Sequence, residues 1–164
     1  MNMTISLKHT GRRTGALLVS LLLLTLAVSA SAAAVKMTVG VRFWRESGDK
    51  ESMADSAVDT TREATLTRQP NGTFTLELPV KQLSSMNMTG RLTGIAIGEV
   101  NYDGTLSGDL SDGTAVLTLK NLPASVLTGS DSSKALAVTC SIKMDTILLG
   151  DISTSAKMSI WVER

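Results

Sequence analysis

The sequence of 164 residues has only one histidine, His9, and it lies close to the N-terminus. Catalysis by Ser-His-Asp or Cys-His groups needs an imidazole, and so do His-ligated zinc and His-ligated haem. The chain beyond its first 32 residues therefore lacks the central group of all four. It also lacks a phosphate-binding glycine motif and a Rossmann fingerprint. These absences predict a protein that is not an enzyme.

Cysteine and tyrosine occur once each, as Cys140 and Tyr102. A single cysteine forms no internal disulfide. Cys140 alternates with apolar residues, so we expect a buried side chain that behaves as a small hydrophobe. The fold must therefore be stabilised by an apolar core, for which a chain of this length suffices.

Long apolar runs are also absent, apart from a run of 13 residues from Ala16 to Val28. This run is short for a membrane span, follows the basic residues Lys8, Arg12 and Arg13, and precedes Ala30-Ser31-Ala32. The pattern predicts a secretory signal peptide over residues 1–32 with cleavage after Ala32. The expected product is a single secreted or cell-surface domain, 33–164, with no membrane span.

Excess positive charge is missing as well. The first 32 residues hold three of the 16 basic residues and none of the 15 acidic ones. The remaining 13 basic and 15 acidic residues give a net charge near −2. Nucleic-acid binding requires a basic surface, so we expect no nucleic-acid partner.

What the chain does have is the period of β-strands. Apolar residues alternate with mostly polar ones from Val35 to Phe43. Asn71-Gly72 lies between two further alternating segments, which is the strongest local signal for a hairpin. The residues from Ser47 to Thr61 break the pattern, and Ser52 could cap a short helical turn there. We predict an all-β fold, an immunoglobulin-like β-sandwich of about eight strands with one short helical turn after the first strand.

Methionine is frequent, and its soft thioether can pack in a core or bind a soft metal. Met37 is in phase with the first strand and is expected in the core, as Met144 and Met158 could be. Met53 lies on the polar turn and could contact a ligand. Met86 and Met88 form a Met-x-Met pair in a polar connection, which leaves a Cu(I) site as an alternative.

The segment from Val39 to Val58 resembles the beginning of a NEAT (near-iron transporter) domain. In that family a first strand leads to a short 3₁₀ turn with a Ser-Met or similar pair, here Ser52-Met53. The similarity continues through the predicted hairpin from Ala64 to Leu78 and extends weakly to the last strand. It implies an immunoglobulin-like domain of Gram-positive bacteria, at the cell surface or secreted, that binds haem or haemoproteins in iron acquisition.

By this resemblance, Ser52 and Met53 would face one side of the porphyrin, and the final hairpin around Thr154 to Met158 would face the other. Haem-binding members carry Tyr-x-x-x-Tyr in the last strand, and this chain has no tyrosine there. Methionine is an alternative axial ligand. Met53 with Met158 or Met144 could hold the iron, Lys157 or Arg45 could meet the propionates, and residues 147–149 could cover a face.

A second hypothesis remains open at this point. The chain could be a protein-interaction or adhesion module that has the same fold and no cofactor, since a fold alone does not determine function. Its partner would then be a surface or host protein instead of haem. The two hypotheses differ in whether the Ser52-Met53 turn contacts a porphyrin.

Overall fold

The computed structural model describes residues 33–48, 50–85, 88–145 and 150–163. The predicted signal peptide, Met86 and the apolar residues 147–149 lie outside this part of the chain, so those expectations stay predictions. Within it, no helix has the length and apolar character needed to cross a membrane.

Ten strands form in the described residues, and every pairing between neighbouring strands of the sheet is antiparallel. Their bounds are β1 Val35–Arg45, β2 Ala64–Arg68, β3 Phe74–Pro79, β4 Leu83–Ser85, β5 Met88–Ile97, β6 Val100–Asp103, β7 Thr105–Ser107, β8 Val116–Leu122, β9 Leu136–Met144 and β10 Asp151–Val162. Short 3₁₀ turns span Met53–Ala57, Ala124–Val126 and Ser132–Lys134.

The strands follow the order β4-β5-β9-β10-β1-β2-β3-β8-β7, and β6 adds to β5. Strand β1 belongs to both layers of the sandwich. Its first half pairs with β2, from Val35↔Arg68 to Val39↔Ala64, and its second half pairs with β10, from Val39↔Val162 to Arg45↔Ala156. The sheet therefore curls at the middle of β1, and the two halves enclose one core.

The core is mostly aliphatic, with Phe43 and Phe74 as its buried aromatic side chains. Its largest fully buried side chains are Phe43, Leu66, Leu76, Leu78, Leu83, Leu92, Ile95, Leu117, Leu119, Leu122, Ile142 and Met158. Along β9 the buried positions alternate with mostly polar ones, as the two-residue period of a strand requires. In β10 the alternation stops at Met158–Ile160, where Ser159 is buried as well. The prediction of an all-β, immunoglobulin-like sandwich is confirmed.

The prediction of about eight strands is too low, for local reasons. The apolar segment from Leu92 to Tyr102 contains two strands instead of one, because Gly98 adopts a φ of 59° and turns the chain between β5 and β6. This left-handed conformation favours glycine. The short β4 pairs with the start of β5 and has no alternating pattern long enough to predict.

Gly40 stands opposite Trp161 where β1 passes from one layer to the other. A Cβ atom on Gly40 would overlap the indole of Trp161. We expect Gly40→Ala to displace the indole and to lower the free energy of unfolding by about 1–3 kcal/mol. Urea denaturation and the near-ultraviolet circular dichroism of tryptophan measure both effects. Gly48→Ala is the control, because nothing lies within 4 Å of its added Cβ; an equal loss in both variants would contradict the close contact.

Candidate functional site

The 3₁₀ turn Met53–Ala57, called the Met53 turn below, packs against β1, β4 and β5. Two backbone hydrogen bonds begin it: the Ser52 N–H donates to the Phe43 carbonyl (2.9 Å), and the Asp55 N–H donates to the Ser52 carbonyl (3.1 Å). Ala54 and Ala57 are fully buried. Small side chains at these two positions let the turn sit closely on the end of the core.

Asp55 fixes the Met53 turn to β1. Its Oδ1 accepts a hydrogen bond of 2.7 Å from the backbone N–H of Phe43, and the residue is only 8% exposed. Burial raises the pKa of Asp55 above its usual value, against the smaller opposing effect of the Phe43 hydrogen bond. The Phe43 N–H and C=O thus both bond to the segment 52–55, which takes the place of a neighbouring strand at this edge of β1.

Ser52 is 8% exposed, and its hydroxyl oxygen has no hydrogen-bond partner in the part of the chain that the structure describes. The residue occupies the N-cap position that the sequence predicts. However, its side chain makes no capping bond. A buried polar atom without a partner costs about 1–3 kcal/mol, and such atoms are rare in native proteins. This oxygen is therefore a candidate for contact with a ligand.

Met53 follows directly and is 37% exposed, the largest exposure of any apolar side chain on the turn. Beside it, the Ser56 hydroxyl donates to the Met53 carbonyl (2.6 Å), which stiffens the exposed side of the turn. The Met53 turn therefore presents a soft thioether at the surface on a backbone held from both sides. Such a group can pack on a flat apolar ligand or bind a soft metal ion.

The structure places the other two predicted methionine ligands elsewhere. Met158 is fully buried and Met144 is 6% exposed, and both belong to the core. Strand alternation turns both side chains inward, away from the surface on which Met53 lies. The structure therefore does not bring the three sulfur atoms to one open site. Neither Met144 nor Met158 is exposed where it could serve as the expected second ligand beside Met53.

Lys157 lies on the opposite, outer face of β10. It is half-buried and pairs with Trp44 of β1, and Trp44 in turn bridges to Glu51 just before the Met53 turn. Two strand spacings of about 4.8 Å put the Lys157 backbone about 10 Å from that of Glu51. A lysine side chain spans much of this distance.

Trp44 is held in place by polar contacts that could not be predicted from the sequence. Its indole N–H donates to the Ser159 hydroxyl (2.9 Å), and the Arg42 guanidinium lies 5.6 Å from the ring centre. Arg42 also pairs with Glu51 (3.0 Å). Asp55 was missed as well, since an aspartate in the polar sequence Met-Ala-Asp-Ser-Ala gives no sign of burial.

Cys140 and two aspartates of the described turns have structural roles. Cys140 is fully buried, and burial raises the pKa of its thiol to about 12, as expected for a core residue. Asp109 and Asp112 accept hydrogen bonds from Ser111 and Thr114 within their own turns. No group of three metal-ligating His, Cys, Asp or Glu side chains occurs in the described ranges.

No known protein-family model matches the sequence, and no curated protein matches it. Two solved structures are similar to the fold: the NEAT5 domain of IsdX2, a B. anthracis hemophore, in complex with heme, and a point mutant of that domain with heme. Each shares 9% identity and a TM-score of 0.49, covering 79% of this chain and 97–98% of the solved one. They carry the domain type that the segment Val39–Val58 resembles, and no functional assignment follows from a similarity this distant.

Proposed function

We propose that the protein is a non-catalytic haem-binding module of the extracytoplasmic space, and that Ser52 and Met53 contact the ligand. The observation that carries the proposal is the Ser52 hydroxyl, which is buried without a hydrogen-bond partner among the described residues. It lies beside an exposed thioether on a turn that is hydrogen-bonded to β1. A hydroxyl and a soft sulfur suit the two parts of haem, its carboxylates and its iron. The chemistry of Ser52 and Met53 therefore suits haem as a ligand.

Each residue would have a separate task. Ser52 would donate its proton to a propionate oxygen, which satisfies an atom that has no partner among the described residues. Met53 would meet the porphyrin face and offer its sulfur to the iron, and a methionine ligand raises the reduction potential of haem. Lys157 would add a positive charge within reach of a propionate. Asp55 would act indirectly, by holding the turn on β1.

Titration with haemin tests the proposal. We expect an intense, shifted Soret band at one equivalent, and a spectrum close to that of free haemin in Met53→Leu, which keeps the apolar volume and loses the sulfur. Met37→Leu is the matched control, because Met37 packs against the core in β1. A spectrum of free haemin with the unaltered protein at equimolar mixing would refute the proposal.

Ser52→Ala provides a second measurement that separates binding from folding. Removing an unsatisfied buried hydroxyl is close to neutral or favourable for stability. We therefore expect an unchanged or higher free energy of unfolding without haemin, together with a five- to tenfold weaker affinity for it. Weaker folding with unchanged affinity would assign Ser52 a structural role instead.

The alternative is a protein-interaction module of the same fold without a cofactor. The burial of Met144 and Met158 favours it, because only Met53 of the three predicted methionine ligands is exposed. Under this alternative the unaltered protein leaves the haemin spectrum unchanged and remains folded and soluble.

A further inference from the structure

A crevice of about 210 Å³ lies beside β1, just beyond the point where β2 stops pairing with it. The haem proposal does not involve this crevice. The crevice lies between the middle of β1 (Val39–Arg42) and the connection 58–64, with Trp161 and Glu163 of the β10 end at its rim. We call it the Val41 crevice. Val58 lines the crevice and also caps the end of the Met53 turn, where its N–H donates to the Asp55 carbonyl (3.0 Å), but no residue of the turn itself lines the crevice.

The Val41 crevice exists because the β1–β2 ladder stops early. The pairs Met37↔Leu66 and Val39↔Ala64 would place Arg62 opposite Val41 if the register continued, but pairing ends at Ala64. Beyond this point the chain 59–63 moves away from β1. The next group to bond this edge of β1 is the segment 52–55, at Phe43.

Val41 is therefore left with an unused backbone edge. Phe43 directs its N–H and C=O away from β10, toward Ser52 and Asp55, and strand alternation directs those of Val41 the same way. Across the described ranges, no group forms a hydrogen bond with them on this side. Val41 is 7% exposed and lines the crevice. The donor and the acceptor of Val41 therefore face the crevice, where water or an added strand can pair with them.

Arg62 holds the crevice open. Its guanidinium donates to the carbonyls of Gly113 (2.6 Å), Ala115 (3.0 Å) and Thr114 (3.3 Å). These bonds draw the connection 58–64 toward the β7–β8 loop and away from β1. The gap is thus fixed by side-chain contacts on its far side, so the crevice does not close by simple rotation of a side chain.

The charges at the rim favour a cation. Arg42 is already paired with Glu51 and stacked on Trp44, and Arg62 is bound to three carbonyls. Glu63 and Glu163 are exposed, and no described cation forms an ion pair with either. Trp161 adds an aromatic ring, which attracts lysine and arginine side chains through its face.

We propose that the Val41 crevice binds an extended, positively charged segment of a partner protein. One residue of that segment would exchange two backbone hydrogen bonds with Val41, as in the addition of a strand to a sheet edge. A neighbouring lysine or arginine would lie against Trp161 and between Glu63 and Glu163. The backbone bonds supply affinity, and the carboxylates select the charge of the partner.

The test uses the protein and two fluorescein-labelled octapeptides, one of alternating valine and lysine and one of alternating valine and glutamate. We expect saturable anisotropy only with the lysine peptide, and slower hydrogen exchange of the Val41 amide when it is bound. Glu63→Gln with Glu163→Gln should weaken binding at least fivefold. Glu99→Gln, in the exposed turn between β5 and β6, is the matched control and should leave it unchanged.

Three outcomes would overturn the inference: no binding of the lysine peptide, equal weakening in the Glu99→Gln control, or unchanged exchange at Val41. The backbone part has its own check, a lysine peptide in which each valine is N-methylated and so lacks the N–H donor. That peptide should bind at least fivefold more weakly at the same charge. Equal binding would mean that only surface charge attracts the peptide, contrary to the proposal.

Discussion

Asp55→Ala is expected to lower the free energy of unfolding by about 1–3 kcal/mol. The variant removes the carboxylate that accepts the Phe43 N–H and leaves this buried donor without an acceptor, a single loss of that order. Because this bond fixes the Met53 turn to β1, the variant should also lose haemin binding at temperatures where it is still folded. Urea denaturation and the haemin titration measure the two effects.

Asp109→Ala is the matched control for this variant. Asp109 also accepts a backbone N–H bond, from Ser111 at 2.8 Å, but it lies in an exposed turn. Water replaces the lost acceptor there, so we expect a change below about 1 kcal/mol. Equal losses in the two variants would mean that the burial of Asp55 is not the source of the effect.

The pKa of Asp55 predicts a dependence on pH that Asp55→Asn isolates. Burial raises the folded-state pKa above the usual 3.8. At pH values between 3.8 and the folded-state pKa, the folded protein retains a proton on Asp55 that the unfolded chain has released. The contribution of Asp55 to stability therefore decreases as the pH rises through this range. Asparagine keeps the acceptor oxygen and does not titrate. The stability of Asp55→Asn relative to the unaltered protein should therefore increase from pH 4 to pH 7.

The pKa values of two other carboxylates are shifted in the opposite direction, so their effect on stability has the opposite dependence on pH. Hydrogen bonds from Thr61 lower the pKa of Asp59, and hydrogen bonds from Lys36 and Thr65 lower that of Glu77. Their contribution is lost as the pH falls through their folded-state pKa values. Both groups are present in the two proteins being compared, so they cancel in the difference. A difference that stays constant across the range would contradict a raised pKa for Asp55.

The strands could be predicted where local chemistry determines them. The hairpin between β2 and β3 is confirmed, with Gly72 at a φ of 83° in the turn that Asn71-Gly72 predicts. Alternation from Val35 to Phe43 predicted β1 for the same reason. These features depend on neighbours within a few residues, and the sequence displays such neighbours directly.

The site could be predicted only in part, because it depends on contacts between distant residues. The exposed position of Met53 followed from its polar surroundings. The buried carboxylate of Asp55 and the indole of Trp44 bonded to Ser159, 115 residues away, did not. The unused edge of Val41 was likewise invisible, since alternation marks Val41 only as a core residue. It arises from the point at which β2 leaves β1, which is a property of the whole sheet.

Met158 gives the second large effect, and it distinguishes a core residue from an iron ligand. The side chain is fully buried opposite Phe43, so Met158→Ala should leave a cavity and cost about 2–5 kcal/mol. Met158→Leu conserves volume and should cost less than about 1.5 kcal/mol. Urea denaturation of both variants measures these differences.

The leucine variant also tests the chemistry of the proposed haem site. A core methionine contributes packing only, so Met158→Leu should give the same Soret band with haemin as the unaltered protein, while Met53→Leu loses it. If Met158→Leu instead abolished the band and remained stable, the sulfur of Met158 would have to reach the iron. That would require β10 to move outward from the core, and the cost of exposing Met158 would then be part of the cost of binding haem. Equal spectra place the ligand contact on the Met53 turn alone.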